Sequence, residues 1–440
     1  MADIYFTVYN KTSPKGKVVS IVEIEGAIGD SSAVDTFEKK ITELVNDNEF
    51  NLVLKLSKLR YINSSSMGIL IKFVDILKEK GGGIVLAEAT QDIKNPINLL
   101  GLDSVIQMVD TEDEAISLLD KESKDAPAAP VKTELKTKES SLKKTEEKKK
   151  EDKQKPKEEM KVSVDKKQPT VSVMMIAPSE DLFEKIMRKK FAKKKAKVSV
   201  FHSVDDAESA LANKSFDLII IDEIVKGAKE FINKLKRNKA TSMTPLLKIY
   251  AEGASFEKSD GLTLREDNKL QEPFDLDQLS ELSIVEHDKI AKRKNETEHQ
   301  VEFQFNSRQQ DIEKVNDLIL ELMHQTGLEE KAAMSLGAAF REGTDNANRH
   351  GNKSQEDRKV TVEYNLQKHK VYIHIKDEGE GFDWKHYMGV AEDKSAAQRS
   401  RERTAKGKRG GLGIMLMMKC TDELRYNEKG NELTLIKTRS

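Results

Sequence analysis

The sequence predicts a multidomain chain, two α/β units followed by an α+β sandwich, and three observations lead there. At 440 residues it exceeds one ordinary core, and usual domain sizes suggest about three compact units. Strand-like runs alternate with helical periodicity, stop, and then restart. Between the two stretches, residues 121–170 are more than half charged, hold four prolines and contain no aromatic residue.

In the first unit, 1–120, "KVVSIVEIEG", "FNLVLKLSKL" and "GGGIVLAEA" read as strands. "AVDTFEKKITELVND" and "SMGILIKFVDILKEK" carry the 3.6-residue apolar period between them. Residues 121–170 read as a solvated, disordered linker, because their charges alternate in sign and nothing anchors a core. A second α/β unit, 171–285, restarts at "VSVMMIAP" and runs through "FDLIIIDEIV" and "TPLLKIYAEG". A connector is expected over 286–299. The third unit, 300–440, opens with "VEFQFNS", continues with helical segments from about 311 to 350 and closes with "KVTVEYNL", "KVYIHIKD" and "NELTLIKT".

Composition narrows the function. With 75 Lys plus Arg against 76 Asp plus Glu, the formal net charge is −1, so no global field draws the chain to nucleic acid or an anionic membrane. A single cysteine, Cys420, excludes an intrachain disulfide framework. The opening "MADIYFTVYNKTS" lacks the regions of a signal peptide, and no apolar run reaches about 18 residues, so a cytoplasmic location is expected.

The chemistry concentrates in the third unit. In "REGTDNANRHGN", Glu342 and Asn346 stand at i and i+4, which brings a carboxylate and an amide oxygen to one helix face. The oxygen of Asn suits Mg²⁺, and the carboxylate can take a hydroxyl proton. Exposed helices carry such pairs for structural reasons too, so the neighbours decide. "DEGEGFD" supplies Asp377, Gly379 and Gly381 after an apolar strand; "RGGLGIMLMM" supplies Gly410, Gly411 and Gly413 at a helix start. Glycines let backbone approach a nucleotide closely, and a helix start offers N–H groups to phosphate. Neither segment is a complete dinucleotide-binding or P-loop pattern.

Taken in order, "EGTDN", "DEGEG" and "GGLGI" resemble the three nucleotide boxes of the GHKL (Bergerat-fold) ATPases, most closely the branch of anti-sigma factor serine kinases, over 300–440. The resemblance implies ATP and Mg²⁺ as cofactors, Glu342 as general base, Asn346 as the Mg²⁺ ligand and Asp377 as acceptor for the adenine amino group. It also implies that Gly379, Gly381, Gly411 and Gly413 shape the pocket and its lid, and that Thr434 helps hold adenine. Between the glycine boxes, "KSAAQRSRERTAKGKRG" reads as a loop that lids the nucleotide, with Arg399, Arg401, Arg403, Lys408 and Arg409 as candidate phosphate contacts. His287 and His299 precede this unit without room for the helical hairpin of a histidine kinase, so a hydroxyl acceptor is expected.

The middle unit resembles a response-regulator receiver of flavodoxin-like fold, with Asp222 at its phosphoacceptor position. Ala177 and Pro178 stand where metal-holding acids would be, Tyr250 replaces the hydroxyl residue and Glu272 the lysine, so a pseudo-receiver with a structural Asp222 is expected. The first unit resembles the STAS domain of anti-sigma factor antagonists, on "YINSSSMGIL" and the order of elements over 1–120. Ser64 then stands at that family's phosphoacceptor position, with Asn63 in place of its aspartate and Ser66 in place of its glycine. The three serines also suit the cap of the helix that follows, and the two readings are compatible.

The expectation is a fused partner-switching regulator: a serine kinase domain that phosphorylates its own Ser64, or a separate STAS antagonist, to control a sigma factor or other effector. Dimerisation through the kinase domain is a further expectation from the resemblance. The competing reading is an ATP-binding scaffold that recruits partners without turnover.

Overall fold

The computed structural model describes residues 4–29, 31–121, 171–178, 181–254, 261–393, 395–406 and 411–439. The expected linker lies, after its first residue, outside the described residues.

The first unit runs β1 (Tyr5–Thr12), β2 (Val18–Ile28), α1 (Ser31–Asn46), β3 (Asn51–Ile62), α2 (Ser64–Glu79), β4 (Gly83–Ala87), α3 (Gln91–Leu99), β5 (Gln107–Val109) and α4 (Glu112–Lys121). The sheet order is β1-β2-β3-β4-β5, antiparallel only between β1 and β2. Strand alternation supplies two apolar faces. Val19, Ile21, Val53 and Val85 pack under Ala115 and Leu119 of α4, while Val22, Ile24 and Leu54 pack with Phe37 of α1 and Leu70 of α2.

The middle unit comprises β6 (Val171–Ile176), α5 (Asp181–Lys193), β7 (Ala196–Phe201), α6 (Val204–Asn213), β8 (Leu218–Asp222), α7 (Ala228–Arg237) and β9 (Leu246–Tyr250). β10 (Thr263–Leu264), β11 (Asn268–Gln271) and α8 (Leu276–Arg293) follow. Its sheet is wholly parallel in the order β7-β6-β8-β9-β11, the flavodoxin-like 2-1-3-4-5 arrangement, with apolar clusters on both faces.

The third unit holds β12 (Thr297–Asn306), α9 (Gln309–His324), α10 (Glu330–Asn346), β13 (Lys359–Gln367), β14 (Lys370–Asp377), α11 (Trp384–Asp393), α12 (Ala396–Ala405), α13 (Gly413–Cys420), β15 (Glu423–Tyr426) and β16 (Glu432–Thr438). Its antiparallel sheet has the order β10-β12-β13-β14-β16-β15. Val301, Phe303 and Phe305 of β12, with Val360 and Val362 of β13, pack against Val315 and Leu318 of α9 and Phe340 of α10.

Two boundaries differ from expectation. The expected connector 286–299 is not a separate segment: α8 continues to Arg293 and β12 begins at Thr297. Leu279, Ser283, Glu286 and Ile290 form one buried stripe that carries the helix through residue 285. β10, from the loop between β9 and β11, pairs with β12 and so belongs to the third unit's sheet. Arg265 bonds Glu302 at 2.8 Å and Lys239 bonds Glu298 at 2.8 Å beside it. His299 is buried in this junction, its Nε2 bonded to the Lys236 carbonyl at 3.0 Å, and burial lowers its pKa.

The first and third units share one hydrophobic core. The helices α2 and α3 pack against α10, α12 and α13.

Candidate active site at the junction of the first and third units

A cavity of about 570 Å³ opens where α10, the end of β14, the start of α13 and α12 meet α1 and α2. Its residues come from segments that were legible as motifs and from others that were not.

Helix α10 contributes Glu342 and Asn346 on one face, as their spacing requires. Immediately after Asn346 the helix widens into a π-helical turn, Ala347–Gly351, which carries Arg349 and His350 into the cavity wall. Arg349 pairs with Asp345 one turn back. Glu342 is 2% exposed, and its Oε2 has no hydrogen-bond partner. Burial raises its pKa, against the opposing effects of Arg349 and of the Ser64 hydrogen bond.

At the end of β14, Asp377 is buried and accepts a 2.8 Å bond from the Gly379 amide, while burial pushes its pKa up. Glycine is needed beside it. A Cβ at Gly351 would overlap the Asp377 carboxyl, and Gly381, at φ +79°, abuts the Lys429 carbonyl. Gly379 shapes this turn rather than lining the cavity, whereas Gly381, Gly411 and Gly413 line it. A Cβ on Gly413 would collide with Glu342 Oε1, so the start of α13 sits directly on the carboxylate.

Thr434 is not at the cavity. Side chains of β16 alternate, so Leu433 and Leu435 face the helices while Thr434 faces the other side, 3.0 Å from His374 Nδ1. The residue that lies beside Asp377 is Asn431, buried, whose Nδ2 donates to the Asp377 carbonyl at 3.1 Å. Asn427 holds it there, accepting from the amides of Gly430 and Asn431 at 2.7 and 3.1 Å. The turn residues of "NEKGN" were the available signal.

Within the basic segment between the glycine boxes, Ala396–Ala405 form a helix, α12, where a loop was expected. Ser395 and Gln398 close a reciprocal capping box at its start. Arg399 and Arg403, one turn apart, line the cavity, and Arg399 is 4% exposed with its Nε unpartnered. Burial and the nearby Arg403 lower the Arg399 pKa. Arg401 points elsewhere, to Asp75 of α2. Lys408, Arg409 and Gly410 lie outside the described residues. Phe382, Tyr387 and Tyr426 complete an aromatic wall, with Trp384 stacked on Tyr426 at 6.0 Å.

The first unit closes the cavity with Ser31, Val34 and Asp35 of α1 and Ser64 and Ser65 of α2. Ser64, 3% exposed, donates from Oγ to Glu342 Oε1 at 2.9 Å. Asn63 caps α2: its Oδ1 accepts from the amide and hydroxyl of Ser66, each at 3.0 Å, and its Nδ2 donates to the Gly29 carbonyl at 3.0 Å. Both departures from the STAS pattern thus form the cap that fixes Ser64. Tyr61 sits under the Arg341 guanidinium at 5.2 Å, a second tie between the units.

In the middle unit, Asp222 ends β8 half-buried, its Oδ1 accepting from the Ile224 amide at 3.1 Å, and burial raises its pKa. Tyr250 donates to Glu266 at 2.9 Å. Among the described residues, no three His, Cys, Asp or Glu side chains cluster as a metal site. None of the described helices is long and apolar enough to cross a membrane.

The family model described as a histidine kinase-like ATPase domain matches residues 305–437, and that of the STAS domain matches 11–115. This chain joins a STAS domain to a histidine kinase-like ATPase domain. That pairing supports a partner-switching regulator. Between the two domains lies the parallel-sheet α/β unit. Similar solved structures include a putative response regulator from Chloroflexus aurantiacus, 15% identical over 27% of this chain and 99% of that one, TM-score 0.24. A sensor protein from Polaromonas is 13% identical over 28% of this chain and 99% of its own, TM-score 0.24. A receiver-modulated diguanylate cyclase from Pelobacter carbinolicus is 17% identical over 28% and 98%, TM-score 0.24. The 2-1-3-4-5 strand order carries the description of this unit's fold.

Proposed function

We propose that the ATPase domain is a protein serine kinase of the anti-sigma factor type, and that its acceptor is Ser64 of the STAS domain in the same chain. The observation that carries this reading is the 2.9 Å hydrogen bond from Ser64 Oγ to Glu342 Oε1, between residues 278 positions apart. It is the contact a general base makes with the hydroxyl it activates.

The cavity fits Mg²⁺-ATP. Unpartnered Glu342 Oε2 and Arg399 Nε, and glycine walls that a Cβ would fill, are features expected of a nucleotide site. Asp377, Asn431, Arg399 and Arg403 all line the cavity; in this reading the first two meet the adenine edge and the two arginines the phosphates. Asn346 would hold Mg²⁺, which supplies neutralisation of phosphate charge. In the transfer, Ser64 Oγ bonds to the γ-phosphorus, its proton passes to Glu342, and the bond from that phosphorus to the β–γ bridging oxygen breaks, releasing ADP. The phosphoserine brings about −1.5 to −2 charges against buried Glu342, which favours undocking of the STAS domain and a change of partner. A sigma factor or another regulatory protein is the effector such a switch would serve.

The full chain is incubated with Mg²⁺-ATP beside Ser64→Ala and Asn346→Ala, and phosphosites are mapped by mass spectrometry. Phosphate on Ser64 in the wild type and in neither variant is expected. Bound nucleotide with no phosphate on any serine would overturn the kinase and leave an ATP-binding scaffold.

A further inference from the structure

Helix α12 has two working sides. Arg399 and Arg403 line the nucleotide cavity, while Ser400 and Arg401, between them in sequence, meet α2 of the STAS domain. Ser400, buried, donates to the Gly68 carbonyl at 3.4 Å. Arg401 grips Asp75 through both carboxylate oxygens, Nε to Oδ2 at 2.7 Å and Nη2 to Oδ1 at 2.8 Å. On α2 the acceptor Ser64, Gly68 and Asp75 stand at i, i+4 and i+11, a single helix face spanning roughly 16 Å.

We infer that Arg401 and Asp75 are the specificity-determining pair by which the phosphate-side helix recognises a STAS acceptor and sets its register. The inference rests on the proposed kinase reading and adds its selection of substrate. A STAS helix with an acid eleven residues after its acceptor serine seats that serine on Glu342. The pair is part-exposed, at 46% and 36% of side-chain surface, so it adds little to stability and acts through register and charge matching. A bidentate guanidinium–carboxylate contact fixes orientation, which a lysine would not.

A charge-swap cycle in the full chain tests it with Arg401→Glu, Asp75→Arg and the double variant. The rate of Ser64 phosphorylation and amide hydrogen exchange over α2 and α12 are the readouts of docking, with calorimetric affinity for nucleotide as the control. Each single variant is expected to lose about tenfold or more in rate, as like charges meet at the interface, and to exchange faster in both helices. The double variant restores both. Arg401 lies outside the cavity wall, so calorimetric affinity for nucleotide stays at the wild-type value in all three. Singles that match the wild type, or a double no better than the singles, overturn the inference. If the wild type transfers no phosphate, the kinase reading fails, while hydrogen exchange still decides whether this pair docks the two domains.

Discussion

Replacing Glu342 with Gln separates catalysis from stability, because the structure loads both on one carboxylate. Glu342 is buried, one oxygen receives the Ser64 hydroxyl and the other has no partner. Burial holds its pKa above the ordinary carboxylate range, so the folded chain binds that proton more tightly than the unfolded chain does. A group raised in this way contributes stability at low pH, and the contribution is lost as pH climbs through the folded pKa. Gln keeps an acceptor for Ser64 and removes the charge. Removing one buried charge whose second oxygen has no partner is worth about 1–3 kcal/mol, at about 2–4 °C in Tm per kcal/mol for a cooperative unit of this size. The variant should therefore melt above the wild type at neutral pH and converge with it toward pH 4, while Ser64 phosphorylation falls by about 10²- to 10⁴-fold with loss of the base. Differential scanning calorimetry across pH, beside phosphosite quantification, reads both. A variant that melts lower at neutral pH, or that transfers phosphate within tenfold of the wild type, would refute the reasoning.

Two further outcomes follow from the same geometry. Asn431→Ala should weaken nucleotide affinity by about tenfold, the worth of one hydrogen bond to a buried polar group, whereas Thr434→Val on the opposite sheet face leaves it unchanged; isothermal calorimetry with ADP distinguishes them. Gly413→Ala forces a methyl group into Glu342 Oε1, so it should lower stability by about 1–3 kcal/mol in thermal unfolding and abolish Ser64 phosphate.

What was legible in the sequence was what a local spacing encodes. Glu342 and Asn346 share a face because four residues are about one helical turn, and the glycines of "DEGEG" and "GGLGI" announce close backbone approach wherever they fold. Strand faces were harder. Thr434 and Asn431 differ by three positions, an odd number, which moves a side chain across the sheet, and only the register with His374 decides between them. Helix α12 was hidden by its charge, although Ser395 and Gln398 already spell a capping box. Strand β1 was passed over beside its apolar neighbours, and two-residue β10 is too short to leave a period. The contact between Ser64 and Glu342 had no local signal at all; it depends on how two separately folded surfaces meet.

Strand β10 has a consequence for anyone dividing this chain. Thr263 and Leu264 pair with Gln304 and Phe303, so the middle unit lends its neighbour the outermost rung of a ladder. A fragment cut to begin near residue 300 would lay bare the backbone of β12, an open edge ready to recruit a second copy. Self-association measured on such a fragment would report the cut, and a piece must begin before residue 263 to keep Phe303 and Gln304 paired.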